Sequence, residues 1–185
     1  MRPVRETSAQ LQQSVWLSMR RKDIKQAIKS CNLLNKTYPE FAPGWFAASH
    51  LAQLLKQPEL ALKTIDRALT LEPVNREWRL HRVACLVMCG EIQSARESLT
   101  GLMADHNDAF ENDATQLSQL AFLCNRLDMH AQAENLYLQL TVREPGNGGH
   151  WFNLATLQRF QGRLQEAESS LEKAISLNPA DFDAY

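Results

Sequence analysis

Three residues with ligand chemistry fall on one helical spacing: His81, Cys85 and Cys89. Residues four apart on a helix are neighbours, so any adjacent two can reach one metal ion. The third lies a further turn away, about 12 Å from the first along the axis. A closed zinc site needs four converging ligands, which this trio does not supply. The acidic stretch ADHNDAFEND at 104–113 raises calcium as a second chemistry. An EF-hand loop needs oxygen ligands at alternate positions and a glycine at the sixth. Counted from Asp105, the fifth position is Ala109 and the sixth is Phe110, so the stretch reads as a lengthened loop. Pro145-Gly146-Asn147-Gly148-Gly149 is rich in glycine. No strand precedes it and no GKS or GKT follows, so it joins helices rather than cradling phosphate. A catalytic centre needs a nucleophile, a base and a stabiliser that converge. The histidines at 50, 81, 106, 130 and 150 follow no Ser/His/Asp or Cys/His order. The residues therefore point to no catalytic group, no cofactor and no metal site in this chain.

The elements that must position any functional side chain are helices. In Trp151–Pro179, the residues Trp151, Leu154, Ala155, Leu157 and Gln158 share one helical face, and Ala167, Leu171, Ala174 and Ile175 share another. Gly162 turns the chain between them and Pro179 stops it. Neither helix can bury its stripe alone. Two antiparallel helices can, if a like pair stacks beside them. Counting back 34 residues from Pro179 gives Pro145, and Ala167 maps to Ala133 and Leu171 to Tyr137. Trp45, Ala61, Ile65, Ala68 and Pro73 match in an upstream stretch, as do Leu11, Ala27, Cys31, Leu34 and Pro39 further back. Local signals agree. Thr7-x-x-Gln10 has capping-box spacing, so the first helix starts near Ser8. Asp23 can cap its partner. Pro58 sits in a first turn, where a missing N–H costs nothing. Gly90 is a left-handed helix terminator.

This pattern resembles the tetratricopeptide repeat, W-x2-L-G-x2-Y then A-x3-F then P at a period of 34. Five repeats fit, at 8–41, 42–75, 76–109, 114–147 and 148–181, covering nearly the whole chain. The resemblance implies an all-α, right-handed superhelical solenoid of helix pairs in a single domain, 1–185. The small residue after the leucine (Ala155, Ala121, Ser49) permits close helix approach. The alanines at 27, 61, 95, 133 and 167 mark where the second helix crosses the first. Cys85 occupies the slot of Leu17, Leu51, Leu123 and Leu157, which makes it a core residue. There are departures. The tyrosine slot holds Ser18, Ala52, Leu86, Cys124 and Gln158. The third unit has Asn107 in place of the proline, Trp78 one place early, and four extra residues after it, Phe110 to Asp113.

Net charge is −1, which argues against nucleic acid as a partner. Residues 1–38 carry eight Lys or Arg against Glu6 and Asp23, and the remainder carries twelve basic and nineteen acidic residues. A basic end could meet an acidic surface, and otherwise reads as a solvated helix edge. The first residues lack the apolar core of a signal peptide, and no apolar run is long enough to span a bilayer, so no membrane partner is expected. Four cysteines without a close-spaced framework suit a reducing cytoplasm.

The resemblance also implies where partners bind. In such repeats the first helices line a concave surface through positions 2, 5, 9, 12 and 13. Position 5 holds Gln12, Phe46, Leu80, Ser118 and Phe152, and position 9 holds Trp16, His50, Ala84, Phe122 and Thr156. Arg20, Asn125, Arg126, Arg159 and Phe160 fall at positions 12 and 13. The lysine and asparagine clamp that chaperone-binding repeats use for a terminal carboxylate does not carry over, because those slots are aromatic or apolar. The expected binding set is Trp16, Arg20, Phe46, His50, Phe122, Arg126, Phe152 and Arg159, taking a protein or peptide segment with apolar anchors; the alternative is that these side chains pack against neighbouring repeats or against a helix beyond residue 185. Self-association through an open C-terminal face is a second expectation, with Asp181 to Tyr185 read as the first turn of a further helix. The closing LEKAISLNPADFDAY is similar to the end of the repeat region in bacterial sulfotransferases with N-terminal repeats. That likeness implies a 3′-phosphoadenosine-5′-phosphosulfate-dependent domain beyond residue 185, with the chain itself inactive.

Overall fold

A computed structural model describes residues 6–104 and 113–179. Arg2 and Arg5 of the basic end, residues 105–112 of the acidic stretch with Asn107 and Phe110, and the tail Asp181 to Tyr185 lie outside the described residues. The fold is all-α. Among the described residues five antiparallel helix pairs follow one another: α1 (Ser8–Arg20) with α2 (Ile24–Thr37), α3 (Ala42–Leu54) with α4 (Pro58–Leu71), α5 (Arg76–Met88) with α6 (Ile92–Ala104), α7 (Ala114–Arg126) with α8 (His130–Arg143), and α9 (Gly148–Phe160) with α10 (Leu164–Leu177). No helix among the described residues is long and apolar enough to cross a membrane. The contacts divide the chain into two compact units, Met1–Met103 and Ala104–Tyr185.

The helix boundaries have local causes. Thr7 and Gln10 form the expected capping box, with Thr7 Oγ1 accepting from Gln10 N at 3.2 Å and Gln10 Oε1 accepting from Thr7 N at 2.9 Å. Asp23, Asn75, Asp113 and Asn147 cap α2, α5, α7 and α9 in the same way, by accepting from free first-turn amides. Pro43 and Pro58 sit in first turns. Between the helices of every pair, one residue adopts left-handed backbone at the same repeat position: Lys22 (φ 59°), Lys56 (57°), Gly90 (79°), Asp128 (57°) and Gly162 (78°). Glycine takes that conformation without strain, whereas the two lysines carry a Cβ against the following carbonyl.

In the first unit the expected crossing alanines are fully buried, Ala27, Ala61 and Ala95 each at 0%. Gly44 lets α3 lie close on α2, since a Cβ there would stand 2.6 Å from Asn35 Oδ1 and 3.1 Å from the Leu34 side chain. Cys85 is in the core, as its repeat position predicts, and Trp78 is buried despite its shifted place. Leu17 departs from the slot it shares with Cys85, lying 36% exposed. In the second unit Ala133 and Ala167 mark the crossings, and Leu120, Tyr137, Leu140, Leu154 and Leu157 fill the core.

Candidate interaction surfaces

In the first unit the first helices α1, α3 and α5 bring five rings and three polar side chains into one cluster. Phe46 stacks on Trp78 with centroids 5.3 Å apart and planes 25° apart, and meets His50 and His81 edge-on at 4.7 and 5.3 Å. Trp16 packs against Phe46 and His50 at 6.2 and 5.2 Å. The His50 and His81 rings lie only 4.1 Å apart. Ser49 Oγ donates to the Ala61 carbonyl at 2.8 Å and stands 2.9 Å from His81 Nε2. With the serine proton committed to Ala61, His81 donates through Nε2 and is the Nε2–H tautomer. Cys85 Sγ lies 3.6 Å from Ser49 Oγ and accepts from Gln53 Nε2 at 3.4 Å.

Serine, histidine and cysteine thus meet where the sequence offered no such order. The arrangement is not a nucleophile with its base. Ser49 and Cys85 are both 0% exposed, so no substrate reaches them. The imidazole donates to the serine instead of accepting from it, which is the wrong polarity for a base. Burial pushes the Cys85 thiol up, away from thiolate. Burial also pushes His81 down to about 3, helped by the charge His50 would carry, and lowers His50. Both rings are therefore neutral and act as packing. The His81, Cys85, Cys89 trio does not converge, and among the described residues no group of three His, Cys, Asp or Glu could hold a metal ion.

One expected surface residue needs correction. Phe46 is only 8% exposed, because α5 brings Trp78 and His81 over it. It is a core ring and presents no face to a partner. Trp16 and His50 are half-buried against it, while Arg20 is exposed. The neighbours that cover Phe46 are 32 to 35 residues further along. A 34-residue period read across stacked first helices, rather than along one helix, is the signal that would have found them.

In the second unit the expected residues are exposed. Phe122 on α7 is 55% exposed and Phe152 on α9 is 43% exposed. Arg126 and Arg159 are exposed on the same two helices. Phe160, 73% exposed, leans on His130 with centroids 4.9 Å apart. A cleft of about 360 Å³ opens between α9 and α10, lined by Phe152, Thr156, Arg159, Leu164 and Leu171 among others. Leu171 is 37% exposed, whereas Ile65, Leu99 and Tyr137 at the same repeat position are at most 1% exposed.

Residues 151–181 match the profile of the family described as tetratricopeptide repeat. No curated protein matches the chain. Solved structures match over nearly its whole length. The type IV pilus biogenesis factor PilW is 18% identical with a TM-score of 0.80, over 94% of this chain and 79% of that one. MamA from residue 41 to its end, from Desulfovibrio magneticus RS-1, is 14% identical with a TM-score of 0.77, over 97% and 99%. YrrB, described as a tetratricopeptide-repeat protein with an unusual peptide-binding site, is 16% identical with a TM-score of 0.71, over 94% and 88%. At these identities the likeness establishes the fold.

Proposed function

From a chain with the tetratricopeptide-repeat fold, we propose a non-catalytic interaction module that binds a protein or peptide segment on its first helices. Phe122 carries the reading. It is 55% exposed although α9 follows it in the repeat order. A large ring left in water at that cost is accounted for by a partner that buries it. Phe152, Arg126 and Arg159 extend the same kind of surface on α7 and α9, an aromatic anchor pair with planar cations beside it, which is the composition of interface hot spots. The experiment is affinity purification from cells with the native chain and with Phe122→Ala/Phe152→Ala. The expected result is at least a tenfold loss of specific partner in the variant, with an unchanged circular dichroism spectrum. Equal recovery with both chains would overturn the assignment.

The apolar face of α9 and α10 is the surface for self-association in this reading. Leu164, Leu171 and Ile175 lie there at 66%, 37% and 42% exposure. Sedimentation velocity of the native chain and of Leu171→Glu tests it: dimers in the first and monomers in the second support it, and a native monomer at high concentration sinks it. A role as the recognition part of a larger sulfotransferase rests on the closing residues of the sequence alone. Its test is the size of the endogenous protein on a blot.

A further inference from the structure

The two units contain the same three-helix arrangement displaced by 106 residues: α2, α3 and α4 in the first, α8, α9 and α10 in the second. The equivalence extends to side chains. Trp45 Nε1 donates to the Pro39 carbonyl at 2.8 Å, and Trp151 Nε1 donates to the Pro145 carbonyl at 3.2 Å. On the side away from the first-helix surface, the two second helices of each arrangement flank a groove floored by the helix between them.

In the second unit the chain itself bridges the groove. Tyr137 is packed into the core beneath it at 1% exposure. Arg163 reaches from the start of α10 to Glu134 on α8, and its other nitrogen bonds Glu166 at 3.0 Å. Gln158 accepts from Ser170 at 2.8 Å. In the first unit each of these devices is missing. Cys31 stands where Tyr137 does, Ala52 where Gln158 does, and Ile28, Gln57 and Leu60 replace Glu134, Arg163 and Glu166. An open cleft of about 560 Å³ results, with Ile28 and Leu60 exposed at 37% and 45% on its walls. Its polar rim includes Asn32, Asn35 and Lys36. Lys36 lines the cleft, and the α2 helix that carries it also holds Lys25 and Lys29 and no acidic residue between Ile24 and Thr37.

We propose that this cleft between α2 and α4 is a second docking site, taking an acidic peptide segment with one aromatic anchor. The anchor follows from the volume, since a cysteine stands where the other unit holds a tyrosine ring. The acidity follows from charge complementarity with Lys36 at the rim and with the basic α2 helix behind it, which an apolar anchor alone would not need. The extended form suits a groove whose walls are two parallel helices and whose rim offers amide groups to a main chain. This site lies on other helices than the proposed Phe122 surface, so either can fail without the other.

The probe is a fluorescein-labelled Asp-Glu-Asp-Phe-Asp-Glu-Asp peptide, measured by fluorescence anisotropy. Control peptides carry Ala at the anchor or Lys at every flank. The expected result is saturable binding at least tenfold tighter than either control and weakened by added salt. Ile28→Glu/Gln57→Arg imports the second unit's ion pair across the cleft, at two exposed positions, and is expected to weaken the probe at least tenfold. Lys36→Glu, at an exposed position on the same wall, serves the same purpose if the double variant does not fold. Phe122→Ala/Phe152→Ala is expected to bind the probe as the native chain does. Amide shift changes on adding the probe should centre on α2 and α4. No saturable binding, or binding unchanged in both cleft variants, overturns the proposal. Dimerisation lost in Ile28→Glu/Gln57→Arg without peptide binding also overturns it, and assigns the cleft to a second copy.

Discussion

Phe46 in the first unit and Phe152 in the second occupy the same repeat position, as do Trp16 and Phe122, yet each pair is used in opposite ways. Phe46 is 8% exposed and Phe152 is 43% exposed. The difference is made by neighbours, not by the residues themselves. In the first unit α5 supplies Trp78 and His81, which close over Phe46, and His50 comes against Trp16. The second unit places Thr156 where the first has His50, and Phe122 is left in water. An aromatic at a groove position is therefore not a binding residue by its position. It becomes core or surface according to what the adjacent pair presents.

The sharpest way to break this contrast is truncation. Phe46→Ala is expected to destabilise the chain by about 3–5 kcal/mol, the cost of emptying a packed aromatic site. Phe122→Ala is expected to stay within about 0.5 kcal/mol. Urea denaturation of the two variants checks it, and comparable losses would erase the distinction. Acid gives the next largest effect. The unfolded chain protonates His81 near its ordinary 6.5, whereas the folded chain holds it neutral down to about 3. Between those values the unfolded state binds the extra proton, so stability falls as pH drops through the window. The melting temperature should decline from pH 7 to pH 4, and His81→Gln should flatten that decline. A parallel pH profile in the variant would remove the histidine pair as the cause.

The pair turns offer the smallest and cleanest contrast. Gly162→Ala is expected to cost about 1 kcal/mol, because φ is 78° there. Lys56→Gly, at φ 57° in the equivalent turn, is expected to change stability in the favourable direction, by less than about 1 kcal/mol. Thermal melts of both variants test whether the turns are interchangeable. A stabilising Gly162→Ala would show that the backbone there is not strained by a side chain.

The helix pairs were legible because their signals are local or strictly periodic. Thr7 and Gln10 cap where their spacing predicts, the alanines at 27, 61, 95, 133 and 167 are buried at the crossings, and Gly90 and Gly162 turn left-handed. The equivalent turns at Lys22, Lys56 and Asp128 carry no such signal, because those residues do not advertise a positive φ. The surfaces were read less well. Sequence position named Phe122, Arg126, Phe152 and Arg159 for a binding surface, and these four are exposed on first helices, but it also named Phe46, which the third pair buries. The Ser49–His81 hydrogen bond and the open α2–α4 cleft depend on residues about one repeat apart. Their proximity is a product of stacking, and no motif along a single helix encodes it.

The most direct measurement is site-specific photocrosslinking in cells, with benzoylphenylalanine placed at position 122, at position 152 and, as a control, at Val142, which is 81% exposed on a second helix. Discrete covalent adducts from 122 and 152 and none from 142 are the expected result for a module that binds partners on its first helices. No adduct at 122 or 152, or equal adducts at all three, would contradict it.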